Sequence, residues 1–433
     1  MKVLMFGWEF PPNISGGLGT ACYGLTGGLN SFDDIDLVFV VPKVYGNENK
    51  NDLKLIGAGD VLLSGKTLSD QKELEMRGSR VFEQPVPAYI TPAQYQKLLP
   101  GQKKRTKKGA ANSSSGRLEF AGQYGSGLFR EISRYALVAS EIARNEPHDI
   151  IHAHDWLTYP AGIAAKKVSH NPLVVHVHST EYDRSGENPD SNVYDIERRG
   201  MEIADRVITV SDFTRNIVIS KYNICPSKIV TVHNAAEHQD NGVVKNIKKK
   251  KAGDKIVTFL GRITRQKGPE YFVRAACKVL QKMDNVRFVM AGSGDLMEDM
   301  TKCAARLQIA DRFHFTGFLK GKDVLEMYAM SDLYVMPSVS EPFGITALEA
   351  LQNNVPVIMS KQSGVSEVIT HAIKVDFWDI DAMADAIFGI LNYPALGKHL
   401  IKNGRKEADS LKWIDAAAKV KEIYYQVARC KAG

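Results

Sequence analysis

The chain has 433 residues, 44% of them apolar and 24% charged, the composition of an ordinary globular protein and not of a disordered or fibrous one. Its length exceeds what one hydrophobic core serves, so two or three domains are expected. The net charge of +7 does not call for a nucleic-acid partner, because much of the excess lies in two polar runs without interleaved aromatics, at Lys103, Lys104, Arg105, Lys107 and Lys108 and at Lys248 to Lys251.

The first strand is expected at residues 3–6, and the chain meets an acid by Glu9, unlike a signal peptide. A glycine-bearing turn with Gly16, Gly17 and Gly19 leads into a helix at about 20–29, and residues 37–41 form the next strand. Strand, glycine turn and helix is how an α/β domain begins and where it holds a ligand. Residues 44–116 show little periodicity and end in a polar, basic stretch read as a mobile loop over about 101–117. Ser64-Gly65-Lys66-Thr67 resembles the end of a phosphate-binding loop, but Asp60 stands where that motif needs glycine. Beyond it come a helix at 128–145, strand 149–152, helix 157–168, strand 173–178, helix 195–204, strand 207–210, helix 212–221 and strand 229–232. This alternation predicts a parallel sheet with helices on both faces.

A Lys-rich polar stretch at 241–253 is the predicted linker between an N-terminal domain (1–240) and a C-terminal domain (254–433). The alternation restarts with strand 256–260, helix 269–281, strand 287–291, a helix to about 307, strand 312–315, helix 323–329, strand 333–337, a helix from 345 and strand 356–359. Residues 380–429 are expected to be helical, with the last helix able to return to the N-terminal domain. The five cysteines, Cys22, Cys225, Cys277, Cys303 and Cys430, lack CxxC or other ligand spacing and read as free, buried or partly buried thiols. No apolar run approaches ~20 residues, so no transmembrane segment is expected and a cytoplasmic location is the economical assignment. The expected fold is α/β: two doubly wound, Rossmann-like parallel sheets facing across a cleft.

Chemistry concentrates in four places. In Glu341-Pro342-Phe343-Gly344-Ile345-Thr346-Ala347-Leu348-Glu349 a loop opens a helix, so the amides of Gly344, Ile345 and Thr346 form an anion site. Glu341 and Glu349 bracket it, and a carboxylate accepts from two neighbouring hydroxyls, which suits a ligand carrying phosphate and vicinal hydroxyls. The blander reading makes Glu341 a helix cap and Glu349 an exposed acid. Gly261-Arg262-Ile263-Thr264-Arg265-Gln266-Lys267-Gly268 follows the first strand of the second half, and Arg262 with Lys267 can bring two cations to one diphosphate. His152-Ala153-His154-Asp155 and His176-Val177-His178 each place two histidines on one face of a strand. That pattern raises a His-rich metallohydrolase as a rival, against buried, hydrogen-bonded histidines at 152 and 176. Asp34-x-Asp36 and Asp379-x-Asp381 read as caps at element boundaries rather than as metal ligands.

Together these motifs resemble the retaining, nucleotide-sugar-dependent glycosyltransferases of the GT-B fold, in the family's order from residue 3 to about 370. Glu341 through Glu349 is similar to their E-x7-E motif, Arg262 and Lys267 to their diphosphate-binding pair, and Gly16-Gly17-Leu18 to their N-domain glycine loop. Trp8-Glu9, His152 through Trp156 and Val177-His178 are similar to the bacterial and archaeal glycogen and starch synthases. The resemblance implies that Arg262 and Lys267 hold the donor diphosphate, Glu341 the hydroxyls of the transferred sugar, and Glu349 the ribose. It implies that Gly16, Gly17 and the amides of Gly344 to Thr346 contact phosphate or sugar. His178 is implied beside the transferred sugar near the reacting carbon, with Glu9 and Asp155 lining the sugar side.

One departure concerns the donor: bacterial glycogen synthases carry lysine in K-T-G-G-L where this chain has Ile14, which leaves UDP- and ADP-glucose both open. No metal or other cofactor is required by the implied chemistry, in which the partners are a nucleotide-sugar and a glucan or other glycan acceptor. Glycogen-synthase-like elongation leads. Alternatives are a disaccharide, lipid-linked or envelope-glycan acceptor, the metallohydrolase, and a catalytically silent carbohydrate-binding relative, against which Arg262, Lys267, Glu341 and His178 all stand intact. The sequence leaves the oligomeric state open.

Overall fold

A computed structural model describes residues 1–14, 16–48, 53–64, 116–122, 124–125, 127–236 and 253–432, with backbone alone at 430–432. Both basic runs, most of the 101–117 loop and of the 241–253 linker, residues 65–67 and the side chain of Cys430 lie outside the described residues. The first half runs β1 (Lys2–Phe6), α1 (Gly17–Asn30), β2 (Asp36–Val41), β3 (Lys54–Gly57), α2 (Leu128–Asn145), β4 (Ile150–His154), α3 (Tyr159–Ser169), β5 (Leu173–Val177), α4 (Glu181–Ser185), α5 (Ser191–Ile203), β6 (Arg206–Thr209), α6 (Asp212–Tyr222) and β7 (Ile229–Thr231). These strands form one sheet in the order β3-β2-β1-β4-β5-β6-β7, every pairing parallel.

The second half runs β8 (Lys255–Leu260), α7 (Pro269–Leu280), β9 (Val286–Ala291), α8 (Met297–Arg306), β10 (Phe313–Gly317), α9 (Lys322–Met330), β11 (Leu333–Met336), α10 (Ile345–Gln352), β12 (Val357–Ser360), β13 (Ile373–Val375), α11 (Ile380–Asn392), α12 (Pro394–Ser410) and α13 (Trp413–Ala432). Its sheet is ordered β10-β9-β8-β11-β12-β13, again parallel throughout. The fold is therefore two doubly wound, Rossmann-like α/β units. The strands are near-continuous apolar runs because both faces are covered by helices. In the first sheet Ile151, Ala153, Val175 and Val177 face α2 and α3, while Ile150, Val174 and Ile208 face the opposite layer.

That opposite layer is made by α1 and by α13, the last helix of the chain. Buried Trp413, Ala416, Ala417, Val420, Ile423, Tyr424 and Val427 recur at helical spacing on one face of α13 and pack with Val3, Ile150 and Val174 of the first sheet. Lys421 and the Tyr425 hydroxyl bind Asp34, which thereby ties α13 to the first domain and is not a helix cap. Asp379 does cap, its side chain accepting from the amide of Ala382 at 2.9 Å. Helix α5 starts earlier than its apolar pattern suggested, because Asp190 accepts from the amides of Asn192 and Val193. Cys22 is buried, Cys277 and Cys303 are half-buried, and Cys225 is exposed, contrary to the expectation of buried or partly buried thiols.

In each sheet the strand order reverses direction at one point, between β1 and β4 and between β8 and β11. Open α/β sheets bind ligands outside the carboxyl ends of strands at that point. The two carboxyl ends face one another. Past β5, Asp183 accepts from the Ser340 hydroxyl beyond β11 at 2.5 Å, and past β6 the Ser211 hydroxyl donates to the Pro342 carbonyl at 2.5 Å. The Glu367 carboxylate, beyond β12, accepts from the amides of Asp212 and Phe213 at the start of α6 and lies 2.9 Å from His233 Nε2.

Candidate active site

On the C-terminal side the turn after β8 and the loop after β11 are built into one unit. The Gln266 carbonyl accepts the amide of Val339 at 2.9 Å, and Gly268 approaches so closely that a Cβ there would lie 2.1 Å from the Pro337 carbonyl oxygen. Gly268 also has φ +65°, so only glycine serves. The result brings Lys267 and Glu341, 74 residues apart, to 2.6 Å (Nζ to Oε2), with the Ser338 hydroxyl on the same oxygen at 3.0 Å. Glu341 is buried and paired, not a helix cap. Arg262 stands on the same turn and donates to the Gln266 side chain at 3.3 Å. It also faces Asp295, whose carboxyl burial pushes up and Arg262 pulls down.

Helix α10 begins beside this pair. Its N-cap, Gly344, has φ +111° and offers no side-chain cap, so the first amides, those of Ile345 and Thr346 among them, point toward the crevice end of the helix. Two buried tyrosines brace it: Tyr334 donates to Thr346 Oγ1 at 2.8 Å, and Tyr328 donates to Glu349 Oε2 at 3.2 Å. Glu349 is thus half-buried and held by Tyr328, and burial raises its carboxyl above the usual range. It is not an ordinary exposed acid. The roles of Ser338, Tyr328 and Tyr334 were not foreseen in the sequence, where the only hint was a tyrosine in each of two apolar segments.

On the N-terminal side Gly16 and Gly17 are exposed at the start of α1 with open space where a side chain would extend, and Ile14 lies beside Gly19 and Glu9. Asp155, at φ +57° just past β4, is buried. Its Oδ1 accepts from the amides of His178 at 2.6 Å and Ser179 at 3.3 Å, so the end of β4 holds the end of β5. The four histidines come together. His152 stacks on His154 and His176 on His178, each pair with centroids 4.3 Å apart. His154 Nδ1 lies 2.9 Å from His178 Nε2, and His152 Nδ1 lies 2.5 Å from the Tyr424 hydroxyl. His176 differs from expectation, since both of its ring nitrogens are buried with no hydrogen-bond partner among the described residues. Ring nitrogens of His152, His154 and His176 lie within 4.8 Å of one another, as do ligand atoms of Cys22, His154 and His178. Burial holds these imidazoles neutral and pushes His178 down to about 3.

Asp155 supports a pH prediction. Burial pushes its carboxyl up to about 7, against the pull of Arg184 and the two amides. A carboxyl raised on folding stabilises the fold fully below about pH 4, and that contribution is lost as pH rises toward 7. Asp155→Asn keeps an acceptor for both amides and removes this titration. Its stability relative to the wild type is expected to improve by roughly 1–2 kcal/mol between pH 5 and pH 8, a tenfold change in proton affinity being worth about 1.4 kcal/mol. Denaturant midpoints at the two pH values read it, and a difference independent of pH contradicts it.

Comparison with known proteins follows this division. Residues 242–407 match the family model described as "Glycosyl transferases group 1", and residues 115–240 match "Glycosyltransferase Family 4". The relative named "Uncharacterized glycosyltransferase MJ1607", from Methanocaldococcus jannaschii, is 26% identical over 442 residues, covering 98% of each chain. Sucrose-phosphate synthase from Thermosynechococcus elongatus shares the fold with a TM-score of 0.72 at 18% identity, over 99% of both chains. The catalytic domain of Starch Synthase IV from Arabidopsis thaliana, bound to ADP and acarbose, does so with 0.67 at 15% identity, also over 99% of both. Among the described residues no helix is long and apolar enough to cross a membrane. With one glycosyltransferase family model matching within each of its two facing α/β halves, the chain is a glycosyltransferase of the GT-B type.

Proposed function

We propose that the protein is a retaining glucosyltransferase that moves glucose from UDP- or ADP-glucose onto a glucan, in the manner of glycogen and starch synthases. The observation that carries the reading is the unit made by Lys267, Glu341, Ser338 and the N-terminus of α10 at the switch point of one sheet, opposite Asp155 at the switch point of the other and His178 past the neighbouring strand. Arg262, Lys267 and the α10 amides receive the diphosphate, Glu349 the ribose, and Glu341 the hydroxyls of the transferred sugar. Gly16 and Gly17 leave the backbone of the first domain open to phosphate or sugar, while Glu9, Asp155 and His178 line the sugar side.

In the transfer, the acceptor hydroxyl oxygen bonds to the anomeric carbon from the face that the diphosphate is leaving. The bond from that carbon to the phosphate oxygen breaks with its electron pair on oxygen, and that oxygen takes the hydroxyl proton. Charge growing on the leaving group is met by two cations and a helix N-terminus, usually the largest catalytic contribution in such sites. These supply the neutralisation that a divalent ion supplies elsewhere, so the proposed step uses no metal. Closure of the two domains excludes water, the competing acceptor.

Incubation with UDP-glucose and ADP-glucose, each with and without glycogen, tests the reading. Elongated glycogen carrying new α-linked glucose is expected with at least one donor. Donor turnover with glycogen left unchanged removes the glucan acceptor and leaves a disaccharide, lipid-linked or envelope glycan. The matrix reads donor preference at the same time, which bears on Ile14.

A further inference from the structure

The stretch of sheet beneath the sugar side of the crevice is lined with imidazoles where aliphatic side chains would pack more cheaply. His152 and His154 belong to β4 and His176 to β5, with His178 just past that strand, and the period of two turns all four toward the layer formed by α1 and α13. Five of their ring nitrogens, His152 Nε2, His154 Nε2, both of His176 and Nδ1 of His178, are buried without a hydrogen-bond partner among the described residues. Buried polar atoms are ordinarily paired. Retaining so many unpaired ones sacrifices stability, as functional sites do.

Within this row the ring of His178 has one specific partner. His154 Nδ1 lies 2.9 Å from His178 Nε2. Two neutral imidazoles share such a contact only if one donates and the other accepts, so the tautomers of His154 and His178 are coupled and the contact orients both rings. Its other ring nitrogen, Nδ1, is buried without a partner among the described residues, so this contact is what fixes the plane of the His178 ring at the crevice. Behind His154, His152 stacks at 4.3 Å and is itself held by the Tyr424 hydroxyl of α13. Asp155 holds the amide of the same His178, so residues 154 and 155 fix its ring and its backbone separately.

We propose that His154 is a positioning residue for sugar transfer, setting through its Nδ1 the orientation of the His178 ring. The proposal rests on the placement of His178 beside the transferred sugar. It deepens that reading by naming a residue buried below the crevice that acts on the sugar only through another side chain.

The test uses three substitutions in the full chain. His154→Asn places an amide near the position of Nδ1, His154→Gln places one near Nε2, and His154→Leu fills the volume with no polar atom. Leu and Gln are expected to lower kcat about 10- to 100-fold, as misplacement of a reacting group does, with donor KM nearly unchanged. Asn is expected to restore most of the loss. Long-range 1H–15N spectra of the imidazoles read the same effect without turnover: the His178 Nε2 shift of a hydrogen-bonded ring nitrogen is kept in the wild type and in Asn and lost in Gln and Leu. Should the Leu chain not fold, the Asn–Gln contrast carries the result. Wild-type kcat and an unchanged His178 Nε2 shift in Gln overturn the proposal. So does one equivalent of tightly bound zinc that is lost in all three variants, since the ring nitrogens are then metal ligands. His178→Ala with wild-type turnover overturns the placement of His178 and this proposal with it. An inactive His178→Ala beside normal Leu and Gln variants overturns the proposal alone.

Discussion

Lys267→Ala is expected to lower turnover by about 100-fold or more, the loss typical of removing a group that meets charge developing in the transition state. The lysine is one-fifth exposed and its ammonium lies 2.6 Å from a buried carboxylate, so it is fixed in place before any donor arrives. Glu341 holds it, and Ser338 takes the same oxygen. The substitution has a second consequence: it leaves the Glu341 carboxylate buried beside one hydroxyl and no cation. Adding Glu341→Gln tests the second consequence alone, because the pair restores whatever stability the single change lost, while turnover is read on Lys267→Ala itself since Glu341 also meets the sugar. Initial rates at saturating donor decide the matter. Near-normal turnover in Lys267→Ala means that the diphosphate lies elsewhere.

The parallel strands were legible because a strand buried on both faces is an unbroken apolar run, and all the long ones were found. The two that escaped, β3 and β13, are four and three residues long and only half-buried. Each lies at the edge of its sheet, where apolar demand is weakest. Within the site the residue types could be read, but their partners could not. Glu341 and Glu349 were identifiable from their spacing around a helix start. That Glu341 answers Lys267 follows from Gly268 passing under Pro337, a contact between two strand ends that exists only in the folded sheet. His152 and His154 share a face by the period of two, yet the hydroxyl on His152 belongs to Tyr424, 272 residues away. The return of α13 to the first domain puts it there. Asp34 looked like a cap for the same reason: its Lys421 and Tyr425 partners also arrive with α13.

The two halves of the site are held in register by the segment after β5, and a buried charge cluster at its root governs it. Arg184 donates from Nε to Glu181 at 2.9 Å, from Nη1 to the Ser179 carbonyl at 3.2 Å, and from Nη2 to Glu197, whose other oxygen accepts from Tyr222. The Arg184 and Glu181 side chains are each 1% exposed, and that of Glu197 is 4% exposed. Between them lies Asp183, which reaches across to Ser340, next to Glu341. One guanidinium therefore satisfies two buried carboxylates and fixes the loop that meets the donor side.

Arg184→Met is expected to destabilise the protein by about 3–5 kcal/mol, because it strands both acids in a low-dielectric interior. Burial already pushes Glu197 up to about 7 with Arg184 pulling it down, and loss of the arginine moves it further up. A carboxyl raised on folding stabilises at low pH and loses that contribution as pH rises through its folded value. The deficit of the variant should accordingly widen as pH rises above about 7 and be smaller, and level, below it. Adding Glu181→Gln and Glu197→Gln should recover most of the lost stability, since neutral amides need no counter-charge. Chemical denaturation of the three chains at pH 5.5 and pH 8 provides the measurement. A small deficit that is the same at both pH values rules out a buried charge balance at the base of this loop.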